Sequence, residues 1–454
     1  MIDKILTSAY LIFIIFSCSP QEISKEIELS EKPPNIICIF VDDLGFGDLS
    51  CQGATDMETP YIDNFASQSM SCTNFYANCT VCSPSRASLL TGRYPDLVGV
   101  PGVIRQNEIN NWGYMDPKAI LLPELLKTKG YESALIGKWH LGLESPNTPN
   151  EKGFDLFRGF LGDMMEDYWD HRRGGINWMR HNQEEIDPEG HATDLFTDWS
   201  IEYLEERKND DDPFYLYLAY NAPHFPIQPP QEWLDKVLER EKGIDHARAK
   251  NVAFIEHLDH SIGRVLQKLE STGLVENTLI VFTSDNGGAL RFAQSNGDLR
   301  GGKQDHYEGG IKVPAFVKWK DRIASGSSNN NLALHMDLFT TFCDVAGVTL
   351  EHEVDGISIL PSLLGKEQVT DDRLVYWVRR EGGNRYGGQA YYAARYGDHK
   401  ILQNTPYDTI EYFNIANDAF ETTALQTVGV SAYDTLRIGL REHIRKSGSV
   451  PWQE

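Results

Sequence analysis

Four runs of apolar residues, each closed by polar groups, constrain this chain more than any other feature. They are Asn35-Ile36-Ile37-Cys38-Ile39-Phe40-Val41, Ser133-Ala134-Leu135-Ile136, Phe214-Tyr215-Leu216-Tyr217-Leu218-Ala219 and Thr278-Leu279-Ile280-Val281-Phe282-Thr283. Being apolar on both faces, they suit central strands of a parallel sheet with helices on each side. Helical patterns lie between them, at Leu121 to Lys127 and at Ala253 to Leu269, the latter apolar at Phe254, Leu258, Ile262, Val265 and Leu266. Strands alternating with helices predict a doubly wound α/β domain. Ligands of such sheets gather at the carboxyl ends of the strands. Those ends carry Asp42-Asp43, Lys138-Trp139-His140, Asn221-Ala222-Pro223-His224 and Ser284-Asp285-Asn286-Gly287-Gly288. Four strand ends therefore converge on one crevice.

The character changes around Asp355 to Pro361. Beyond it, short alternating segments such as Leu374 to Val378 and Ala390 to Arg395 predict a small antiparallel sheet, with a C-terminal helix near Tyr433 to Lys446. The expected organisation is a catalytic α/β domain over 35–365 and a C-terminal α+β subdomain over 366–454.

At the N-terminus, Lys4 precedes the apolar run Leu11-Ile12-Phe13-Ile14-Ile15-Phe16, which ends at Ser17-Cys18-Ser19. The run is too short for a permanent transmembrane helix, which takes roughly 20 residues. It suits a secretory signal over 1–18. Ile15-Phe16-Ser17-Cys18 resembles a bacterial lipobox, in which the Cys is lipidated; plain cleaved secretion and an uncleaved anchor are the alternatives. Residues 19–34 are polar, end in Pro33-Pro34 and read as a tether. Export to the periplasm, or anchoring at the outer membrane through Cys18, is the expected location.

The 454 residues suffice for a large core. A formal charge of −24 repels anions at long range and argues against nucleic acid as a partner. An anionic substrate would need a local cluster of Lys, Arg, His and metal charge. Among the seven Cys, Cys38 sits in an apolar strand as a small hydrophobe. Cys51, Cys72, Cys79 and Cys343 are irregularly spaced, which disfavours a zinc knuckle and leaves disulfide pairing unassigned. Asp42, Asp43, Asp285 and Asn286 offer only oxygen ligands, pointing to Ca²⁺ with Mg²⁺ second.

Cys82-Ser83-Pro84-Ser85-Arg86, continuing to Thr91-Gly92-Arg93, resembles the C-x-P-x-R…T-G-R signature of type I sulfatases, in the alkaline phosphatase superfamily. Gly130 to His140, Leu299 to Lys303 and Tyr307 to Pro314 are also similar to that family's patterns, and the resemblance runs from Asn35 to about Leu425. It implies an alkaline-phosphatase-like sheet and a maturing enzyme, formylglycine-generating or of the anaerobic type. That enzyme oxidises Cys82 to formylglycine (3-oxoalanine), whose hydrated form attacks sulfur and later eliminates sulfate.

The resemblance also implies roles. Cys82 would be nucleophile and metal ligand beside Asp42, Asp43, Asp285 and Asn286, and Arg86 would hold the diol. Lys138 and Lys303 would bind sulfate oxygens. His224, or Lys303 with it, would protonate the leaving alcohol, and His140 would take a proton in the elimination step. Asp285 could also accept the attacking hydroxyl's proton. His335 and His399 read as structural.

The insert from Phe160 to His191 offers flat faces at Tyr168, Trp169 and Trp178 and donors at His171, Arg172, Arg173 and Arg180; Arg379, Arg380 and Arg385 form a second basic cluster in a Gly-rich stretch. A sulfated polysaccharide or oligosaccharide is the favoured substrate. Competing readings are a formylglycine-dependent phosphodiesterase or phosphonate monoester hydrolase, and a glycan-binding protein without activity.

Overall fold

In the computed structural model, residues 32–106, 115–370, 372–381, 389–405 and 407–450 are described. The signal, Cys18, most of the tether and Arg385 lie outside them. The four apolar runs form β1 (Asn35–Val41), β2 (Glu132–Lys138), β3 (Phe214–Ala219) and β4 (Thr278–Ser284). They are mutually parallel neighbours in the order β4-β1-β3-β2. Register sets their carboxyl ends level: Phe40 pairs with Ala219, Val41 with Ser284, and Ala219 with Gly137.

Among the described residues the main sheet has ten strands. Leu156–Phe160 continues it in parallel beyond β2, and Ala315–Trp319 runs antiparallel beside β4, so the sheet is mixed but mostly parallel at its centre. Gly137 is required where β2 and β3 close on each other: its φ is +113°, and a Cβ there would meet the Ala219 carbonyl oxygen at 1.9 Å.

Alternation along β1 explains the two layers. Ile36, Cys38 and Phe40 pack with Ala87, Leu89, Leu122, Phe339 and Phe342 on one face. Ile37, Ile39 and Val41 pack with Phe196, Phe254, Leu258 and Ile262 on the other. The first face is covered by α1 (Cys82–Thr91) and the helix His335–Val345, the second by Ala192–Arg207 and α2 (His246–Ser271). The α2 helix starts seven residues before the apolar pattern, because Asp245 caps it by accepting from the N–H groups of Ala247 and Arg248.

The C-terminal antiparallel sheet is present as Leu374–Arg380, Ala390–Tyr396, His399–Gln403 and Glu411–Asn414. Its helix, Ser431–Ser447, buries Leu436 and Leu440 against Ala394, Ile401 and Tyr412. The opposite face packs Trp377, Leu402 and Phe413 with Tyr76, Tyr94 and Met336, and the Trp377 indole donates to the Ala77 carbonyl at 2.7 Å. The six described cysteines, Cys38, Cys51, Cys72, Cys79, Cys82 and Cys343, are all free thiols. No helix among the described residues is long and apolar enough to cross a membrane.

Candidate active site

Cys82 is the first residue of α1 and only 2% exposed, and the whole helix beneath it is buried. Gly92, at φ +68°, ends that helix by donating its N–H to the Ser88 carbonyl at 2.9 Å. Arg93 then anchors the exit on Asp355, 2.7 Å away. The Thr-Gly-Arg tail thus holds the helix that carries Cys82.

One turn on, Arg86 is fully buried between two strand ends. Its guanidinium lies 3.0 Å from Asp285 and 3.5 Å from Asp42, and it donates to the Lys138 carbonyl. Lys138 reaches the same Asp42 carboxylate at 2.5 Å. Lys303 lies 2.6 Å from Asp43 Oδ1 and donates to Cys82 Sγ at 3.3 Å. Asn286 donates through its amide to Asp43 Oδ1 at 2.8 Å, and the Asp43 N–H donates to Asp285 Oδ1 at 3.0 Å. Asp42, Asp43, Asp285, Asn286, Cys82, Arg86, Lys138 and Lys303 therefore form one connected cluster at the level ends of β1, β2 and β4.

Burial opposes ionisation of Asp42, but the charges of Lys138, His224, Arg86 and Lys303 hold it well below the usual carboxylate range. Asp285 goes the other way: burial and the neighbouring Asp42 carboxylate push it up to about 8 against Arg86. Burial and Asp42 also raise the Cys82 thiol well above its ordinary value. As a thiol it is therefore a poor nucleophile at neutral pH. The residues fit a hard cation. Asp42 Oδ1 and Asn286 Oδ1 are buried oxygens without a hydrogen-bond partner, and donor atoms of Asp42, Asp43, Cys82 and His224 lie within 4.8 Å of one another.

Two histidines flank the cluster. His140 Nε2 lies 2.8 Å from the Ile104 carbonyl oxygen, while its Nδ1 is buried without a partner. A carbonyl can only accept, so Nε2 carries the proton and Nδ1 the lone pair. Burial, then Lys138 and Arg86, hold His140 well below the usual histidine range, so the ring is neutral. His224 Nδ1 donates to the Phe225 carbonyl at 2.6 Å, and Nε2 lies 3.6 Å from Asp43. Burial and the Lys303 charge lower His224 to about 4. Asp43, His140 and Gln304 have positive φ of 67°, 62° and 84°. Such conformations cost about 1–3 kcal/mol each and concentrate at functional sites.

These groups open on a cleft of about 130 Å³, lined by Asp43, Cys82, His140, His224, Lys303 and a rim that includes Arg105, Arg173 and Arg291. On this rim Arg105 is paired with Glu381 and Arg173 with Asp163 and Glu166, while Arg291 stands exposed. Lys138 sits behind Asp42 and is not among the lining residues.

Of the aromatic and cationic residues singled out in the insert, Arg173 lines the cleft, together with Asp163 and Met164, and it pairs with Asp163 and Glu166. Trp169 is 51% exposed in a separate groove with Trp233, Lys236 and His260. His171 is buried and bonded to the Gly190 carbonyl, and Arg172 is paired with Asp170 and Asp187. Tyr168 is also buried: its hydroxyl donates toward the Asn221 and His224 carbonyls and so supports the His224 loop.

Arg379 lies in a strand, not a Gly-rich loop, and is 1% exposed. It holds Glu381 and the Gln304 carbonyl from beneath the cleft. Arg380 is buried and donates to Ser447. His335 bonds the Ser284 carbonyl, and His399 pairs with the Tyr412 hydroxyl.

Arg105, Phe225, Arg291, Phe292 and Gln304 also line the cleft, outside the residues that the motifs single out. For Arg291 a signal existed, since it follows the Asp285-Asn286-Gly287-Gly288 strand end by a few residues. Arg105 comes from a distant loop and is positioned by Glu381, 2.8 Å away, a pairing across the chain that no local pattern announces.

A doubly wound sheet whose level strand ends hold a buried carboxylate cluster, two lysines and a Cys-headed helix defines a hydrolase site for an anionic ester. Residues 34–348 match the model of the family described as Sulfatase, and residues 302–448 match N-sulphoglucosamine sulphohydrolase, C-terminal. The chain belongs to the sulfatase family, and its relatives are sulfuric ester hydrolases. The N-acetylgalactosamine-6-sulfatase of Mus musculus is 33% identical over 411 residues, covering 85% of this chain and 75% of that protein. A sulfatase of Formosa agariphila is 29% identical, covering 87% and 85%. The crystal structure of Ps i-CgsB in complex with k-i-k-neocarrahexaose superposes with a TM-score of 0.81 at 30% identity, over 92% of this chain and 93% of that one.

Proposed function

We propose that this sulfatase removes sulfate from a sulfated polysaccharide or oligosaccharide, using a formylglycine derived from Cys82 and a Ca²⁺ held by Asp42, Asp43, Asp285, Asn286 and residue 82. The observation that carries the reading is the position of Cys82, heading a buried helix with Lys303 against its sulfur and Asp43 at the same lysine. When present, the formylglycine supplies a nucleophile that can release sulfate again, and the cation supplies charge at the reacting oxygens.

The other roles belong to side chains in place. Arg86 orients Asp42 and Asp285 and offsets their charge. Lys303 binds a sulfate oxygen, and Lys138, through Asp42, sets the potential behind it. His224 protonates the leaving alcohol; the anionic ester entering beside Lys303 offsets the charge that lowers it. His140 Nδ1, with its lone pair free, accepts a proton from residue 82.

Glycan specificity is supported by the basic rim and by the oligosaccharide bound to the 30%-identical Ps i-CgsB. Export, with or without a lipid on Cys18, and maturation by a formylglycine-generating or anaerobic sulfatase-maturing enzyme belong to the same reading. It is tested by incubating matured protein with carrageenan, ulvan, fucoidan, chondroitin and heparan fragments and assaying free sulfate, alongside aryl sulfate and aryl phosphate esters. Sulfate release from at least one glycan, with aryl sulfate preferred to aryl phosphate, is expected. Preference for the phosphate ester would favour the phosphodiesterase reading.

A further inference from the structure

The cleft over Cys82 encloses about 130 Å³, well under the roughly 300–1,000 Å³ of a pocket that surrounds a whole small molecule. It has room for a sulfate group and part of the attached ring, so the rest of any sugar meets the rim. The rim is asymmetric in charge. Arg105 is neutralised by Glu381, Arg173 by Asp163 and Glu166, and Lys303 by Asp43. Arg291 differs. It is exposed, it sits 4.7 Å over the Phe292 ring, and among the described residues no carboxylate pairs with it.

The support under Arg291 is rigid. Phe292 stacks on Phe225 at 4.3 Å with an interplanar angle of 14°. Gln294, itself buried, accepts from the Ala289 N–H and donates to the Pro223 carbonyl, clipping the Arg291 turn to the His224 loop. Asn251 of α2 donates to the Phe292 carbonyl from below. Phe225 is 38% exposed, and its carbonyl orients His224. An apolar platform and a cation with no paired carboxylate among the described residues thus stand beside the residue assigned to the leaving group.

We propose that Arg291, mounted on the Phe225–Phe292 stack, is a specificity-determining residue that binds a second anionic substituent of the substrate, a sulfate or carboxylate other than the one hydrolysed. The chemistry is that of a guanidinium fork, which pairs such groups with two donors. The enzyme then prefers polyanionic chains to singly sulfated ones. This rests on the sulfatase reading of the same site.

The test compares wild type, Arg291→Gln and Arg291→Lys on 4-methylumbelliferyl sulfate, with carrageenan and chondroitin oligosaccharides of one or several sulfates per molecule as competitors. Lys236→Gln, in the separate Trp169 groove, controls for loss of one positive charge. In wild type, multiply sulfated competitors should inhibit at least tenfold more tightly than singly sulfated ones. Arg291→Gln should reduce that preference at least fivefold through the inhibition constant, Arg291→Lys should restore part of it, and Lys236→Gln should leave it. The wild-type preference should also weaken as salt rises. A preference unchanged in Arg291→Gln, or absent from wild type, overturns the proposal while leaving the sulfatase reading intact. Matured wild type that releases no sulfate from the aryl ester or from any of the glycans refutes that reading itself.

Discussion

His140 is held by the carbonyl of Ile104: Nε2 donates to it at 2.8 Å, which leaves the buried Nδ1 as the ring's only lone pair. His140 has a positive φ, and in the function proposed above it acts as a base after the alcohol has gone. His224 has the opposite arrangement, Nδ1 donating to Phe225 and Nε2 facing Asp43. His140→Ala should therefore slow turnover by roughly 10²–10⁴ on sugar sulfates and aryl sulfates alike, with alcohol released faster than sulfate in the first turnover. His224→Ala should be far more damaging for sugar sulfates, whose alcohols leave poorly, than for an aryl sulfate. Rapid-quench measurement of alcohol and sulfate separates the two; equal dependence of both variants on leaving-group pKa contradicts the assignment.

Exhaustive chelation should abolish activity, and Ca²⁺ should restore it better than Zn²⁺, because the donor set is dominated by carboxylate and amide oxygens. Adding Ca²⁺ to the chelated protein should also raise its melting temperature, since binding to the native state alone stabilises it. Asp43→Asn should lose both the rescue and the thermal shift. A chelated protein with full activity would refute the metal site.

Two buried histidines outside the reaction make stability fall on acidification. His306 and His335 are each lowered to about 3, in both cases chiefly by burial, with Arg379 and Lys400 adding to the effect on His306 and Arg86 to that on His335. Their folded-state values lie below the unfolded one near 6.5, so the unfolded chain binds more protons. Stability is complete above about pH 6.5 and declines toward pH 3. By pH 5 each histidine should cost about 2 kcal/mol. Urea unfolding at pH 7.5 and pH 5.0 measures this, and His306→Gln should show a shallower pH dependence than wild type. An unchanged slope would show that His306 titrates normally.

How far the sequence was legible depended on what set each feature. The core strands were readable because burial on both faces leaves an unbroken apolar run, as in Ile36 to Val41. The site was readable because polar groups at Asp42, Lys138, His224 and Asp285 end such runs, and parallel register brings those ends level. In the insert, Arg172 and Arg173 are matched by Asp170, Asp187, Asp163 and Glu166, acids visible nearby whose pairing only the fold reveals. Arg379 looked like part of a basic surface, yet its neighbour Glu381 and the distant Gln304 carbonyl take it into the interior.

Maturation should depend on folding. Cys82, Ser83, Pro84, Ser85 and Arg86 are all buried, which would keep the active site of a maturing enzyme from closing on them in the folded protein. Folded, unmodified protein treated with a maturing enzyme should remain a thiol, whereas an unfolded peptide spanning 79–93 should be converted. Conversion of the native protein at the peptide's rate would contradict the buried placement.

The chemistry proposed at residue 82 is that of formylglycine, an aldehyde that attacks in its hydrated form. Its most direct test is the mass of the Cys82 peptide in protein co-expressed with a maturing enzyme, measured together with sulfate release by the same sample. The predicted result is a loss of about 18 Da at residue 82, as the thiol becomes an aldehyde, with activity proportional to the converted fraction and none in Cys82→Ala. Full sulfate release from a sample whose Cys82 remains an unmodified thiol, or from Cys82→Ala, would contradict it.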